Sequence, residues 1–154
     1  LLGGLHKLVG ITAPAFIKQK SDYMTQDCKM VARKFNINFK FNSKFPISSV
    51  NLMRGVLILN DGILKNYIDA CFDAYWKLDI NLSEKNELVK IVNKLDLNEE
   101  YFFKEINNQK VKDDLRNKTE EAFEKKIFGA PTFFVNNKIF WGQDRLEYAI
   151  DEFR

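Results

Sequence analysis

Apolar positions recur at helical spacing along most of the chain. Between residues 48 and 78, Val50, Met53, Leu57, Leu64, Ile68, Cys71, Phe72 and Tyr75 follow that period, interrupted at Asn60, Asp61 and Gly62. The pattern predicts two consecutive helices with a cap at the break. Upstream, Met24, Cys28, Val31 and Phe35 form one stripe of a helix over residues 21–35, which Ser21 can cap. Residues 1–20 hold Gly3, Gly4, Gly10 and Pro14 and read as loop. Residues 36–41 alternate polar and apolar, as a short edge strand or an extended connector would, and residues 42–46 make a turn. Ser83, with Glu84 and Glu87, starts a helix holding Leu88, Ile91, Val92 and Leu95. Asn98 caps a shorter one through Tyr101, Phe102 and Ile106. The last long helix is predicted over residues 111–127, with Leu115, Ala122, Phe123 and Ile127 inward and Gly129 closing it.

The pattern changes after Gly129. Ala130 and Pro131 precede the strand-forming residues Thr132, Phe133, Phe134 and Val135, and a cis peptide is expected there, because only an X-Pro bond makes cis cheap. That turn would leave the N–H and C=O of Ala130 free for a ligand. Asn136 and Asn137 suit a type I′ hairpin turn, since asparagine tolerates positive φ. A second strand follows, with Trp141 and the Phe133, Phe134 pair read as sheet packing. Asp144 with Glu147 three residues on is a capping-box pattern, leading into a helix with Leu146, Ile150 and Phe153 inward. A helix N-terminus one hairpin away from a proline turn is suited to an anion and a peptide backbone. A lone hairpin is marginal as a sheet, and within the chain only residues 37–41 offer it a further strand.

Composition narrows the class. With 154 residues and 45% hydrophobic content, one domain is the expectation. The formal charge of +3 is spread over alternating Lys and Asp/Glu on helix faces, which argues against nucleic acid as a partner. No apolar run approaches the ~18 residues of a membrane span. Cys28 and Cys71 form no C-x-x-C pair, which fits a reducing, cytoplasmic compartment. His6 has no partners at metal spacing, so no zinc site is expected.

The segment from Gly129 through Val135, followed by Phe140, Trp141, Gly142, Gln143, Asp144, Arg145 and Leu146, resembles the 2-hydroxychromene-2-carboxylate isomerases and kappa-class glutathione transferases, in the DsbA-like branch of the thioredoxin superfamily. The Leu2 to Lys7 stretch, the Ala13-Pro14 turn, Lys20 to Lys29 and Phe45-Pro46 fall in the same order. The resemblance implies an α/β, thioredoxin-like fold with an all-helical insertion domain. Residues 1–41 and 111–154 would be the thioredoxin part, incomplete, and residues 42–110 the insertion. It implies glutathione as cofactor: Ala130, before the cis Pro131, pairs with the cysteinyl part. Gly142, Gln143, Asp144 and Arg145 hold the γ-glutamyl end, and Lys20 matches a lysine that contacts the glycyl end. Asp27 stands where a second acid is matched.

Two departures accompany the match. Ile11 stands after Gly10 where the family has asparagine. The first βα unit, with the serine that stabilises the thiolate, is missing from this chain; about forty residues, comparable to one βαβ unit, would precede Leu1. No catalytic residue is therefore expected within the chain. The implied activity is glutathione-dependent cis-trans isomerisation of a small aromatic-derived substrate, in aromatic compound degradation, with a homodimer as a possible assembly. The alternatives are a kappa-like transferase or peroxidase, a DsbA-type thiol-disulfide oxidoreductase, and a non-catalytic thioredoxin-like scaffold.

Overall fold

The computed structural model describes residues 1–154. The elements in order are α1 (Leu2–Val9), α2 (Lys18–Lys34), α3 (Val50–Ile58), α4 (Asp61–Trp76), α5 (Lys85–Lys94), α6 (Glu99–Ile106), α7 (Gln109–Glu124), β1 (Thr132–Val135), β2 (Lys138–Trp141) and α8 (Leu146–Phe153). Single 3-10 turns occupy Pro14–Phe16 and Gln143–Arg145. Two compact units result: Leu1–Ala13 with Arg116–Arg154, and Pro14–Leu115. No helix is long and apolar enough to cross a membrane.

The Pro14–Leu115 unit is helical. Its core gathers Tyr67, Cys71 and Tyr75 from α4, Leu88 and Val92 from α5, and Phe102 and Ile106 from α6. The α3/α4 break at Asn60 is where the sequence predicts it, and Asn98 caps α6 by accepting from the Tyr101 N–H at 2.7 Å. Asn36 turns left-handed at φ 52°, and residues 37–41 form a connector rather than a strand. It is fixed at Asn42, buried to 2% exposure, whose Nδ2 donates to the carbonyls of Tyr75 at 2.9 Å and Ile80 at 3.1 Å. Phe39, Phe41 and Phe45 pack around Trp76 with ring centroids 5.6 to 5.7 Å away. Lys–acid pairs such as Lys18–Asp22 and Lys65–Asp69 line the exposed helix faces, where each contributes little.

Several boundaries differ from expectation. Residues 1–20 are mostly helical, not loop. The glycines in α1 carry a propensity penalty of about 1 kcal/mol each. Burial of Leu5 opposes it, and the bare Gly4 lets α1 approach Thr119, whose Cγ2 would lie 3.3 Å from a Cβ there. Helix α2 begins at Lys18, so Ser21 is no cap, and its carbonyl instead accepts from Thr25 Oγ1 at 3.0 Å. Phe35 falls beyond the helix end and is 64% exposed. Phe72, on the solvent side of α4, is 61% exposed. Helix α5 starts at Lys85, because Asn81 turns the chain first by bonding Ser83. Helix α7 stops at Glu124 and the chain turns left-handed at Lys126, with φ 60°, before reaching Gly129.

In the other unit, β1 and β2 form a two-stranded antiparallel sheet in which Thr132 faces Trp141 and Val135 faces Lys138. Asn136 and Asn137 have φ 47° and 62°, as a type I′ turn requires. The hairpin tip is tied to α8 by Lys138 Nζ to Glu152 Oε2 at 2.6 Å, a hydrogen bond that holds the Glu152 carboxyl below its ordinary pKa, and by Asn136 Nδ2 to the Glu152 carbonyl at 2.8 Å. Four-residue strands cover little of α8. Ala149 is buried, whereas Leu146, Ile150 and Phe153, expected inward, remain 44%, 41% and 80% exposed.

Candidate functional site

The proline turn and the glycine turn meet at one end of the hairpin. The Ala130–Pro131 peptide is cis, as the sequence predicts, and Ala130 is exposed. Because Thr132 pairs with Trp141, the residues just outside the ladder are Pro131 and Gly142, and the Gly142 N–H donates to the Pro131 carbonyl at 3.0 Å. Thr132 Oγ1 donates to the Gly129 carbonyl at 2.7 Å, bracing the turn from the strand side. Trp141 packs on Phe128 with centroids 5.1 Å apart.

Gly142 has φ 108° and ψ 148°, a backbone conformation open to glycine and strained for other residues. It sends the chain into the turn at Gln143–Arg145, and α8 begins only at Leu146. The predicted capping box therefore does not form. Arg145 sits at the N-cap position without a capping bond from its side chain, and the Asp144 carboxylate instead accepts from Arg145 Nη1 at 2.8 Å. Both side chains are more than half exposed, at 61% for Asp144 and 51% for Arg145, so the pair is cheap to open. Arg145 also lies over the Tyr148 ring at 5.6 Å. Ile139, Phe140, Trp141, Arg145 and Tyr148 line a shallow recess of about 460 Å³ beside this turn.

Of the residues the sequence nominates, Ala130, Pro131, Gly142, Gln143, Asp144 and Arg145 share this end of the hairpin, whereas Lys20 lies exposed in the first turn of α2, in the helical unit. A larger groove of about 750 Å³ runs beside α2, lined by residues including Gln26, Lys29, Arg33 and Phe39, and it contains none of the nominated residues. Sequence reasoning missed the bracing role of Thr132, whose hydroxyl bonds back over three residues as serine and threonine often do. It also missed a second cis peptide, at Phe45–Pro46.

The thiols are poor nucleophiles. Burial pushes Cys71 up to about 11, with a hydrogen bond to Tyr67 opposing it, and Cys28 is raised by burial and then by neighbouring Asp27. The thiolate is the reactive form. Iodoacetamide at pH 8 is expected to label Cys28 more slowly than free cysteine and to leave Cys71 untouched until urea unfolds the protein, as counted by intact mass. Equal labelling of both in the folded protein would contradict the packing around Cys71.

A family model described as a DSBA-like thioredoxin domain matches residues 1–153. Curated relatives carry the name 2-hydroxychromene-2-carboxylate isomerase. That of Sphingobium xenophagum is 24% identical over 129 residues, covering 84% of this chain and 66% of the relative. That of Pseudomonas putida is 24% identical over 131 residues, 84% of this chain and 64% of the relative. That of Pseudomonas sp. (strain C18) is 26% identical over 129 residues, 82% of this chain and 59% of the relative. The chain thus spans 59% to 66% of the length of these relatives. The structure of a 2-hydroxychromene-2-carboxylate isomerase matches with TM-score 0.86 at 22% identity, over 98% of this chain and 75% of the other, which is a likeness of fold.

Proposed function

Because the chain belongs to the DSBA-like thioredoxin domain family, we propose that its paired turns form part of a glutathione site in an isomerase of the 2-hydroxychromene-2-carboxylate type. The observation that carries the reading is the Gly142 to Pro131 hydrogen bond at 3.0 Å, which joins an exposed backbone edge to an exposed acid–base pair. Residues 1–41 and 111–154 are the thioredoxin part in this reading, and residues 42–110 the helical insertion.

The residues fit the tripeptide. Ala130 offers an exposed main chain to an extended cysteinyl unit. The Asp144 carboxylate suits the γ-glutamyl ammonium, and Arg145, once released from Asp144, suits the neighbouring carboxylate. The first N–H groups of a helical turn lack internal acceptors and favour the same anion. Bound glutathione supplies a thiolate that adds reversibly to a conjugated double bond of the substrate. The chain's own residues hold the tripeptide ends and orient its sulfur. The substrate class is a small aromatic-derived carboxylate, as in the names of the relatives, and the compartment is the cytoplasm.

Cys28 and Cys71 lie on different helices, and both are free thiols. Isothermal calorimetry is expected to show glutathione binding that Asp144→Ala weakens about tenfold, the worth of one charge-assisted hydrogen bond. Absence of binding at millimolar glutathione, or equal affinity in the variant, would sink the proposal.

A further inference from the structure

The groove of about 750 Å³ beside α2 has two unlike walls. On one side Gln26, Lys29 and Arg33 recur at gaps of three and four along one face of the helix, and Asn36 follows just past its end. On the other side run Ile37 and Phe39 of the connector. Both walls are held in place. The left-handed turn at Asn36 folds the connector back, and the Ile37 N–H donates to the Ala32 carbonyl at 2.8 Å. Phe39 stacks on Trp76 with ring planes 25° apart. The volume lies within the range of small-molecule sites.

The polar wall is a row of donors without partners. The side chains of Gln26, Lys29, Arg33 and Asn36 make no hydrogen bond or ion pair within the protein. An ammonium, a guanidinium and two amides therefore border one open space. The groove's one acid, Asp22, is already taken by Lys18 at 2.8 Å. Elsewhere in this unit, charged residues four apart on a helix pair with opposite sign, as Lys18 and Asp22, Lys65 and Asp69, and Asp73 and Lys77 do. Lys29 and Arg33 stand at the same spacing, about 6 Å along the helix axis, with like charge. An anion between them replaces that repulsion with two attractions. A phosphate monoester carries nearly two negative charges at neutral pH and three acceptor oxygens, and arginine takes two such oxygens side by side. A carboxylate brings one charge to the same two cations.

We propose that this groove binds a small aryl phosphate monoester, its phosphate between Lys29 and Arg33 and its ring against Ile37 and Phe39. None of the groove's residues belongs to the paired turns, so this site stands or falls apart from the glutathione reading. Phenyl phosphate, inorganic phosphate and benzoate are the probes, titrated by calorimetry into the whole protein at low salt, where exposed charges are least screened. Phenyl phosphate is expected to bind about tenfold more tightly than benzoate, for its additional charge-assisted bond, and about tenfold more tightly than inorganic phosphate, for its ring contact. Arg33→Gln and Lys29→Gln are each expected to weaken phenyl phosphate about tenfold. Both side chains are exposed, so the urea midpoint should not move. Ile37→Ser, at a position 54% exposed, should weaken phenyl phosphate and leave inorganic phosphate unchanged. Were a variant to unfold, the ranking of the three anions in wild type carries the test by itself. Absence of phenyl phosphate binding at millimolar concentration, benzoate or inorganic phosphate binding as tightly, or unchanged affinity in both charge variants overturns the assignment.

Discussion

Gly55→Ala is expected to lower the unfolding free energy by about 3 kcal/mol, the upper part of the range for overpacking a core. Helix propensity alone gives the opposite sign, because alanine is favoured over glycine by about 1 kcal/mol inside a helix. Close packing decides the outcome. A Cβ at Gly55 would overlap the Tyr67 hydroxyl, and would lie 2.8 Å from Tyr67 Cζ and 3.0 Å from Phe102 Cζ. Neither ring can yield, since Tyr67 is 1% and Phe102 2% exposed, and their centroids are 5.9 Å apart. Burial holds the Tyr67 phenol far above its ordinary pKa, and its hydroxyl donates to the Leu52 carbonyl at 3.2 Å. Urea unfolding of the whole protein measures the loss. Adding Tyr67→Phe removes the nearest clashing atom and leaves the two ring contacts, so it should recover part of the loss. If Gly55→Ala stabilises the protein, α3 is not seated on Tyr67 as described.

What the sequence could and could not reveal follows from the range of the forces involved. The α3/α4 break, the Asn98 cap and the Asn136-Asn137 turn are set by residues within a few positions of one another, so their signatures are readable in order. Helix α1 is different. Its glycines argue locally for a loop, and only Leu5 burial and the approach of Gly4 to Thr119, more than a hundred residues away, outweigh them. The end of α7 differs for a related reason, because Lys126 adopts positive φ without being glycine, whereas α2 ends at Lys34 beside the expected Phe35. The period of the apolar stripe on α8 predicts a buried face, yet period reports which residues align and not whether anything covers them.

The candidate site was legible in its backbone and not in its side-chain pairing. Proline after a small residue and a two-residue turn were enough to put the proline turn and the glycine turn one hairpin apart, and the register then brings Pro131 and Gly142 together. The capping role of Asp144 was not, since it depended on Gly142 permitting an immediate helix start. The extra turn at Gln143–Arg145 hands Asp144 to Arg145 instead. That exchange leaves the carboxylate at the surface beside an opposite charge, where a ligand ammonium can take it over, rather than spent on a backbone N–H.

Gly142→Ala is accordingly expected to weaken glutathione binding by about a hundredfold, more than Asp144→Ala does, because it acts on both halves of the site. Holding a non-glycine residue at φ 108° and ψ 148° costs about 1–3 kcal/mol, so the backbone will relax toward a commoner conformation. That relaxation pulls the Gly142 N–H from the Pro131 carbonyl and separates the two turns. The new Cβ would also lie 2.5 Å from Asp144 Oδ1, which re-aims the carboxylate. The double variant distinguishes the two routes by their additivity. If the carboxylate carries the whole effect, Gly142→Ala with Asp144→Ala binds glutathione no worse than Asp144→Ala alone. If the joined turns matter, as the hydrogen bond implies, the double variant loses about a further tenfold in calorimetry, and the amide resonances of Ala130 and Thr132 shift with it. Unchanged affinity in Gly142→Ala would mean that the glycine turn does not shape the ligand site.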